Sequence, residues 1–196
     1  MSRITLAIWS LVLSGICLPA HAQPSWEVLK TFPIGGQGGW DYLTVDPQTH
    51  QVYVPRTTHT MVIDAQSGKV IADLPGQKNA HGVALAPTAG RGFISDGGGD
   101  GAIVIFDLKT NAILGSLAAI PDADGIIYDS VSDQVLVVSG RGKALMSFKP
   151  DIDPKNGKID ERSRCVESQS SSRPIQPAGS TSISWTRTKW RSSISR

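Results

Sequence analysis

Short apolar runs separated by turn-forming residues recur along the middle of this 196-residue chain. Between residues 79 and 120 there are four such runs, at residues 83–86, 92–95, 102–107 and 113–117. Each run has the length of a β-strand, and the gaps between them contain proline, glycine or asparagine. Four short strands joined by tight turns predict one small antiparallel sheet. Such a sheet exposes an apolar face unless another layer packs on it, so similar neighbours are expected.

The same unit precedes and follows this stretch. Equivalent positions in the units lie 40 or 43 residues apart: Tyr53, Phe93 and Leu136 form one set, and Asp64 and Asp107 form another. A period near 40 residues with four strands in each unit is typical of β-propeller blades. We therefore predict an all-β fold with about three consecutive four-stranded blades over residues 23–160.

The repeats resemble the YVTN family of β-propeller repeats. The resemblance covers roughly residues 38–160, although Pro55-Arg56 and Ser95-Asp96 stand where the family name has Ala-Asn. The matching pairs are Tyr53-Val54, Phe93-Ile94 and Leu136-Val137, and the matching second halves are Met61-Val62-Ile63-Asp64 and Val104-Ile105-Phe106-Asp107.

The resemblance implies a seven-bladed ring for the intact protein, of which this chain would carry three blades. It implies a binding or scaffold protein whose partner is a protein, a metal or a small molecule. An enzyme is the alternative, because related propellers include lactonase-like hydrolases and relatives of quinone-linked dehydrogenase subunits. No cofactor motif is evident in the sequence, and a divalent metal is the one cofactor that its residues suggest.

The N-terminus has the pattern of a secretory signal peptide. Arg3 precedes a short apolar run at residues 4–18, and Ala20-His21-Ala22 forms a cleavage site. We expect export to the periplasm or the medium, a mature chain that begins at Gln23, and no membrane span after cleavage. A retained N-terminal anchor is the alternative. Cleavage would leave Cys165 as a single cysteine, without an intramolecular disulfide.

One further strand is expected before the first blade, in the apolar run of residues 26–32. In many propellers a terminal strand completes the last blade and closes the ring. This segment could have that role, or it could lead into the first blade.

Charge divides the chain at residue 160. Residues 23–160 contain 11 basic and 15 acidic residues, a net charge of −4, whereas residues 161–196 contain 7 basic and 2 acidic residues, a net charge of +5. The predicted blades therefore have no basic stripe. This distribution argues against nucleic-acid binding through the propeller body.

Residues 161–196 do not continue the repeat, and 11 of these 36 residues are serine. One interpretation is a disordered polar tail. The other is translation out of frame. When the permitted codons are regrouped one base upstream, Trp185-Thr186 must encode aspartate, and residues 174–194 can encode another repeat with Val-Tyr and Val-Ile-Asp in place. The chain would then be a truncated product, which could also be non-functional.

Candidate ligand residues lie at the start of the first strand in each unit. Asp41, His81 and Asp124 occupy one equivalent position there. By the family resemblance, this strand lines the central channel, so three blades would present these side chains around one mouth. Two carboxylates and an imidazole could bind a divalent metal or a polar ligand. Alternatively, each side chain hydrogen-bonds the loop of the neighbouring blade.

Other motifs favour structural roles. The glycine-rich loop at residues 96–101 predicts a hairpin, because no helix follows that could complete a phosphate site. Residues 151–157 resemble a calcium loop but fail its ligand spacing, and an extended hairpin between two outer strands is expected. Trp40, Tyr42 and Tyr128 are interpreted as packing between blades. The sequence contains no nucleophile elbow, no HExxH motif and no redox cysteine pair.

Overall fold

The computed structural model describes residues 26–159 and the backbone of residues 161–164. The predicted signal peptide and the tail beyond residue 164 lie outside these residues. Apart from a 3-10 turn at Pro87–Ala89, the secondary structure of this part is all β. Its strands are β1 (Thr44–Asp46), β2 (Gln51–Pro55), β3 (Thr57–Asp64), β4 (Val70–Ala86), β5 (Arg91–Asp96), β6 (Ala102–Asp107), β7 (Ile113–Ala118), β8 (Ala123–Asp129), β9 (Gln134–Ser139), β10 (Ala144–Phe148) and β11 (Glu161–Arg164).

The strands form two antiparallel sheets, with strand orders β1-β2-β3-β4-β5-β6-β7 and β11-β10-β9-β8. The seven-stranded sheet contains two blades, because β4 belongs to both. Its residues 70–75 pair with β3 as the outer strand of the first blade, and its residues 80–86 pair with β5 as the inner strand of the second. The third blade is the four-stranded sheet. The predicted all-β fold with three propeller blades is therefore confirmed.

Side chains alternate between the two sides of each strand, so each blade has two faces. Neighbouring blades bury these faces against each other. The first and second blades share a core that includes Tyr53 and Phe106, whose rings lie 5.5 Å apart. The second and third blades share a core that includes Phe93 and Phe148, in edge-to-face contact at 5.4 Å. Burying a side chain of this size contributes about 1.5–3 kcal/mol, so these interfaces hold the blades together.

A recurrent aspartate organises the turn that follows it, at the end of a strand or, for Asp153, within the connection between β10 and β11. Each one accepts hydrogen bonds from backbone N–H groups and from the side chain three residues later. Four of these turns begin at Asp64, Asp107, Asp129 and Asp153. The pKa values of Asp64, Asp107 and Asp129 are lowered, and the largest cause is the hydrogen bond from the side chain three residues later. For Asp153 the backbone N–H of Lys155 is the first cause of the lowered pKa.

The outward face of the first blade is covered by the segment that precedes it. Ile34 packs against Val54, Met61 and Ile63. The buried Arg56 side chain donates from Nη1 to the Gly35 carbonyl at 3.1 Å and from Nη2 to the Gly38 carbonyl at 3.2 Å. The prediction of a strand at residues 26–32 is wrong, because this run pairs with neither sheet. Residues 26–31 are exposed, and only Phe32 lies against the first blade, at Gly68. Without a partner strand the run has no ladder of hydrogen bonds to hold it extended.

The third blade extends past the predicted boundary at residue 160. Strand β11 pairs with β10 from Ser147↔Glu161 to Ala144↔Arg164. The connection between β10 and β11 contains the Asp153 turn, so the predicted extended hairpin between outer strands is confirmed. The blade pattern thus includes the first residues of the segment that the sequence assigned to the tail.

Two of the three aromatic predictions hold. The Tyr128 hydroxyl lies 3.1 Å from Thr88 Oγ1 of the second blade, and Tyr42 contacts the third blade. The prediction that Trp40 packs between blades is wrong, because its side chain is 76% exposed on the segment before β1. Within the described residues, no helix has the length and apolar character needed to cross a membrane.

Candidate functional site

Three consecutive blades each contribute one polar side chain to a single cluster. Asp41 lies just before β1, His81 lies in the second half of β4, and Asp124 lies near the start of β8. The structure brings all three predicted residues together. His81 Nδ1 is 2.8 Å from Asp41 Oδ2 and 3.9 Å from Asp124 Oδ1, and one ligand atom of each residue lies within 4.8 Å of the others. We call this group the mouth cluster.

Asn79 fixes the orientation of the His81 ring. Its amide nitrogen lies 2.8 Å from His81 Nε2. Because an amide NH₂ group can only donate, Nε2 accepts this bond, and Nδ1 carries the proton that is donated to Asp41. Gly97 also limits the ring, since a Cβ atom at this position would lie 2.9 Å from Nε2. The imidazole therefore turns Nδ1 towards both carboxylates.

The backbone at Asp124 is held by two hydroxyl groups from the other blades. Ser95 of the second blade accepts from the Gly82 N–H at 3.1 Å and donates to the Asp124 carbonyl at 2.5 Å. Tyr42 of the first blade donates to the same carbonyl at 3.2 Å and accepts from the Ile126 N–H at 2.9 Å. These bonds fix the start of β8, and thereby place the Asp124 carboxylate beside His81.

Tyr42 connects the first and third blades through this hydroxyl. It reaches Asp124 by lying over Gly82, where any Cβ atom would overlap the tyrosine ring. Burial is the main cause that raises the pKa of the Tyr42 phenol, and the charges of Asp124 and Asp41 raise it further. Tyr42 therefore remains a neutral hydroxyl at physiological pH and serves as both donor and acceptor.

Sequence reasoning missed the supporting residues Asn79, Ser95 and the hydroxyl role of Tyr42. For Asn79 a signal was present, because Asn79 and His81 are two residues apart on a strand and so share one face. Ser95 and Tyr42 act across blades, through contacts that span 29 and 84 residues of sequence. Local patterns carry no signal for contacts of that range.

The mouth cluster is shielded on the imidazole side and open on the carboxylate side. The side chain of His81 is 18% exposed, whereas those of Asp41 and Asp124 are 43% and 53% exposed. The arrangement can bind a cation between one imidazole nitrogen and two carboxylates, with solvent on the remaining side. It also ties the blades together, because the His81–Asp41 bond joins the second blade to the first. Within the described part of the chain, no other such group of His, Cys, Asp and Glu was found.

The glycine-rich loop belongs to the structural class that the sequence predicted. Residues 97–101 connect β5 to β6 as a hairpin, with Asp96 paired to Ala102. The Asp96 carboxylate is buried and accepts the backbone N–H groups of Lys78, Asn79 and Gly98, at 2.7–3.0 Å. This bonding holds the loop against β4 and so positions Asn79 beside His81.

No family model matches this chain, and no curated protein matches it either. The structure is similar to that of the hydrazine synthase of Kuenenia stuttgartiensis, with a TM-score of 0.55 and 13% identity over 70% of this chain. It is also similar to Sqt1 of Saccharomyces cerevisiae, with a TM-score of 0.53 and 12% identity over 64% of this chain. Both are β-propeller proteins.

The chain spans only part of the length of these structures, 39% of the hydrazine synthase chain and 34% of the Sqt1 chain. At this level of identity the similarity concerns the fold and not the activity. Together with the three stacked blades, it shows that the described part of the chain is part of a β-propeller.

Proposed function

We propose that this chain belongs to an exported β-propeller binding protein of the YVTN type, and that its ligand binds at the mouth cluster. The observation that carries the proposal is the convergence of Asp41, His81 and Asp124 from three successive blades. Ligand sites in proteins commonly lie where several elements bring a few polar groups to one concave place.

The chemistry of the cluster favours a divalent cation. Zinc bonds of about 2.0 Å in tetrahedral geometry separate neighbouring ligand atoms by about 3.3 Å. The distances from His81 Nδ1 to the two carboxylates, 2.8 Å and 3.9 Å, lie on either side of this value. Shifts of about half an ångström would bring each carboxylate to this distance from Nδ1, and the two carboxylates, which lie within 4.8 Å of each other, would have to approach each other as well. The exposed side of the carboxylates leaves room for water or a small molecule as a further ligand.

Calorimetric titration of the protein with Zn²⁺ tests this proposal. Loss of even an outer partner typically weakens a metal site about 10–100-fold, so we expect His81→Ala to weaken binding at least tenfold. His50→Ala is the matched control, because His50 is exposed in the turn between β1 and β2. Equal heats for the parent chain and His81→Ala would contradict the proposed ligand role and leave the cluster as a tie between blades.

Asn79 provides a second, more specific test. Zn²⁺ at Nδ1 requires the ring proton to lie on Nε2, where the Asn79 amide nitrogen now faces it. Asn79→Asp would supply a carboxylate that accepts the Nε2–H bond, an arrangement that strengthens histidine ligation. We expect this variant to bind Zn²⁺ more tightly than the parent chain. Unchanged or weaker binding would show that Nδ1 is not the ligand atom.

Export is the second part of the proposal, and it is supported by the leader-like pattern of residues 1–22. Expression in a Gram-negative bacterium should place the protein outside the cytoplasm. N-terminal sequencing of that material should begin at Gln23. A cytoplasmic product that begins at Met1 would contradict export.

Truncation is the third part, and it is supported by the composition of residues 161–196 together with the repeat that a shifted frame regenerates. We propose that translation leaves the original frame close to residue 160. Sequencing of the DNA around codons 158–165 in several isolates should show an intact frame that restores the repeat. If every isolate instead encodes residues 161–196 as they stand in this chain, the interpretation of a frameshift is wrong.

A further inference from the structure

The third blade has one apolar face that no part of the described chain covers. We call it the third-blade face, and it consists of Ile127, Leu136, Val138 and Leu145, which follow one another across β8, β9 and β10. Ile127 is 60% exposed and Val138 is 44% exposed. With Tyr42, these residues line an apolar hollow of about 250 Å³.

The two internal interfaces show what normally covers this face. Tyr53 and Phe93 occupy the position of Leu136 in the first and second blades, and both are fully buried under the following blade. The same holds across the inner strand, where Ala84 is buried at the position of Ile127. The face therefore has the geometry and chemistry of a blade-to-blade contact, and its complement is the apolar face of another blade.

The chain carries such a complement at its other end. On the outward face of the first blade, Val54, Met61 and Ile63 of β2 and β3 are buried beneath the preceding segment, where Ile34 packs, and the part of the face that stays open lies along β1. On the inner strand side Leu43 and Val45 are 53% and 56% exposed. Trp40, three residues before Leu43 in the chain, is also exposed. We call Trp40, Leu43 and Val45 the first-blade end.

We propose that the third-blade face binds the first-blade end of a second copy of this chain. One chain cannot join its own ends, because the second blade separates them. Two copies can, since two sets of three blades make six, and propellers have four to eight blades. A head-to-tail contact repeated twice then closes into a dimer with no open apolar face. This proposal does not depend on the ligand proposed for the mouth cluster.

Sedimentation equilibrium of the purified chain tests this. We expect a dimer of twice the chain mass. Ile127→Asp should weaken association at least tenfold, because it places a charge in the centre of the contact. Val45→Asp should weaken it to a similar degree from the other end. Val131→Asp is the matched control, since Val131 is 94% exposed in the turn between β8 and β9 and lies outside the face. Far-UV circular dichroism should confirm that all three variants fold.

A mixing experiment distinguishes the head-to-tail contact from any other dimer. Ile127→Asp retains an intact first-blade end, and Val45→Asp retains an intact third-blade face. Mixed together, the two variants should form a heterodimer through one interface although neither associates alone. A parent chain that stays monomeric would overturn the proposal. So would association that survives Val45→Asp, because it would mean that two third-blade faces pack on each other.

Discussion

The first and third blades lie at opposite ends of the same array, and they differ in how far their outer apolar faces are covered. The first blade lies under residues 32–39, where Ile34 adds apolar contacts and Arg56 adds two hydrogen bonds to loop carbonyls. The third blade has no such cover among the described residues, and Ile127 and Val138 remain exposed. The difference shows that a propeller blade is not a self-sufficient unit, because each apolar face needs a partner.

The largest effect should come from comparing one position in a covered and an uncovered blade. Phe93 is fully buried between the second and third blades, so Phe93→Ala should cost about 3–5 kcal/mol of unfolding free energy. Leu136 occupies the same position on the third-blade face, and in samples dilute enough to be monomeric Leu136→Ala should cost less than half as much, because little burial is lost. Urea denaturation measures both. Equal costs in the monomer would contradict the description of the third-blade face as uncovered within one chain.

Removing the cover of the first blade should have an intermediate effect. Arg56→Met keeps an aliphatic side chain but loses both donors to the Gly35 and Gly38 carbonyls, which should cost about 1–3 kcal/mol. Amide hydrogen exchange in residues 26–40 should become faster. Arg141→Met is the control, since the Arg141 side chain is 80% exposed. Unchanged exchange in Arg56→Met would show that the segment is held by its apolar contacts alone.

The smallest expected effect is a loss of thermal stability at low pH, and all three blades should share it. The pKa values of Asp64, Asp107 and Asp129 are lowered in the folded chain by hydrogen bonds. A lowered folded pKa adds stability above the ordinary aspartate value of about 3.9, and this stability is lost as the pH falls through the folded pKa. Thermal midpoints should therefore decline below about pH 4.

Asp107→Asn should reduce this acid dependence, because asparagine keeps an acceptor in the turn but does not titrate. Asp151→Asn, at an exposed aspartate outside that turn, should retain the full dependence. Melts recorded from pH 3 to pH 7 compare the two variants. Identical pH profiles for Asp107→Asn and the parent chain would rule out this turn as a source of the acid sensitivity.

Sequence alone was most successful where local signals were strong. The second blade was predicted almost strand for strand, because alternation, glycine and proline mark its ends. The shared position of Asp41, His81 and Asp124 followed from the repeat period. The continuity of β4 was not predicted, since Pro75 and Gly76 indicate a break between units, and pairing with both neighbours overrides them.

Other features depend on contacts that no local pattern encodes. Residues 26–32 have strand-like composition, yet they pair with no strand, and Trp26, Val28 and Leu29 are exposed. The hydroxyl of Tyr42 reaches Ile126 across 84 residues of sequence. Trp40 is a large aromatic residue of the kind often found in a core, but it lies on the surface. In each case the position of the residue depends on which parts of other blades lie close to it. That arrangement is known only from the stacked blades.

The central claim is that three blades in this chain form an open array that is stable only when the third-blade face is covered. Thermal unfolding, followed by near-UV circular dichroism over a hundredfold range of protein concentration, tests it most directly. A partner that binds only the folded state raises the midpoint by mass action. We therefore expect the midpoint to rise with concentration, and the most dilute samples to melt broadly. A sharp, cooperative melt of a monomer, with the same midpoint at every concentration, would contradict the claim.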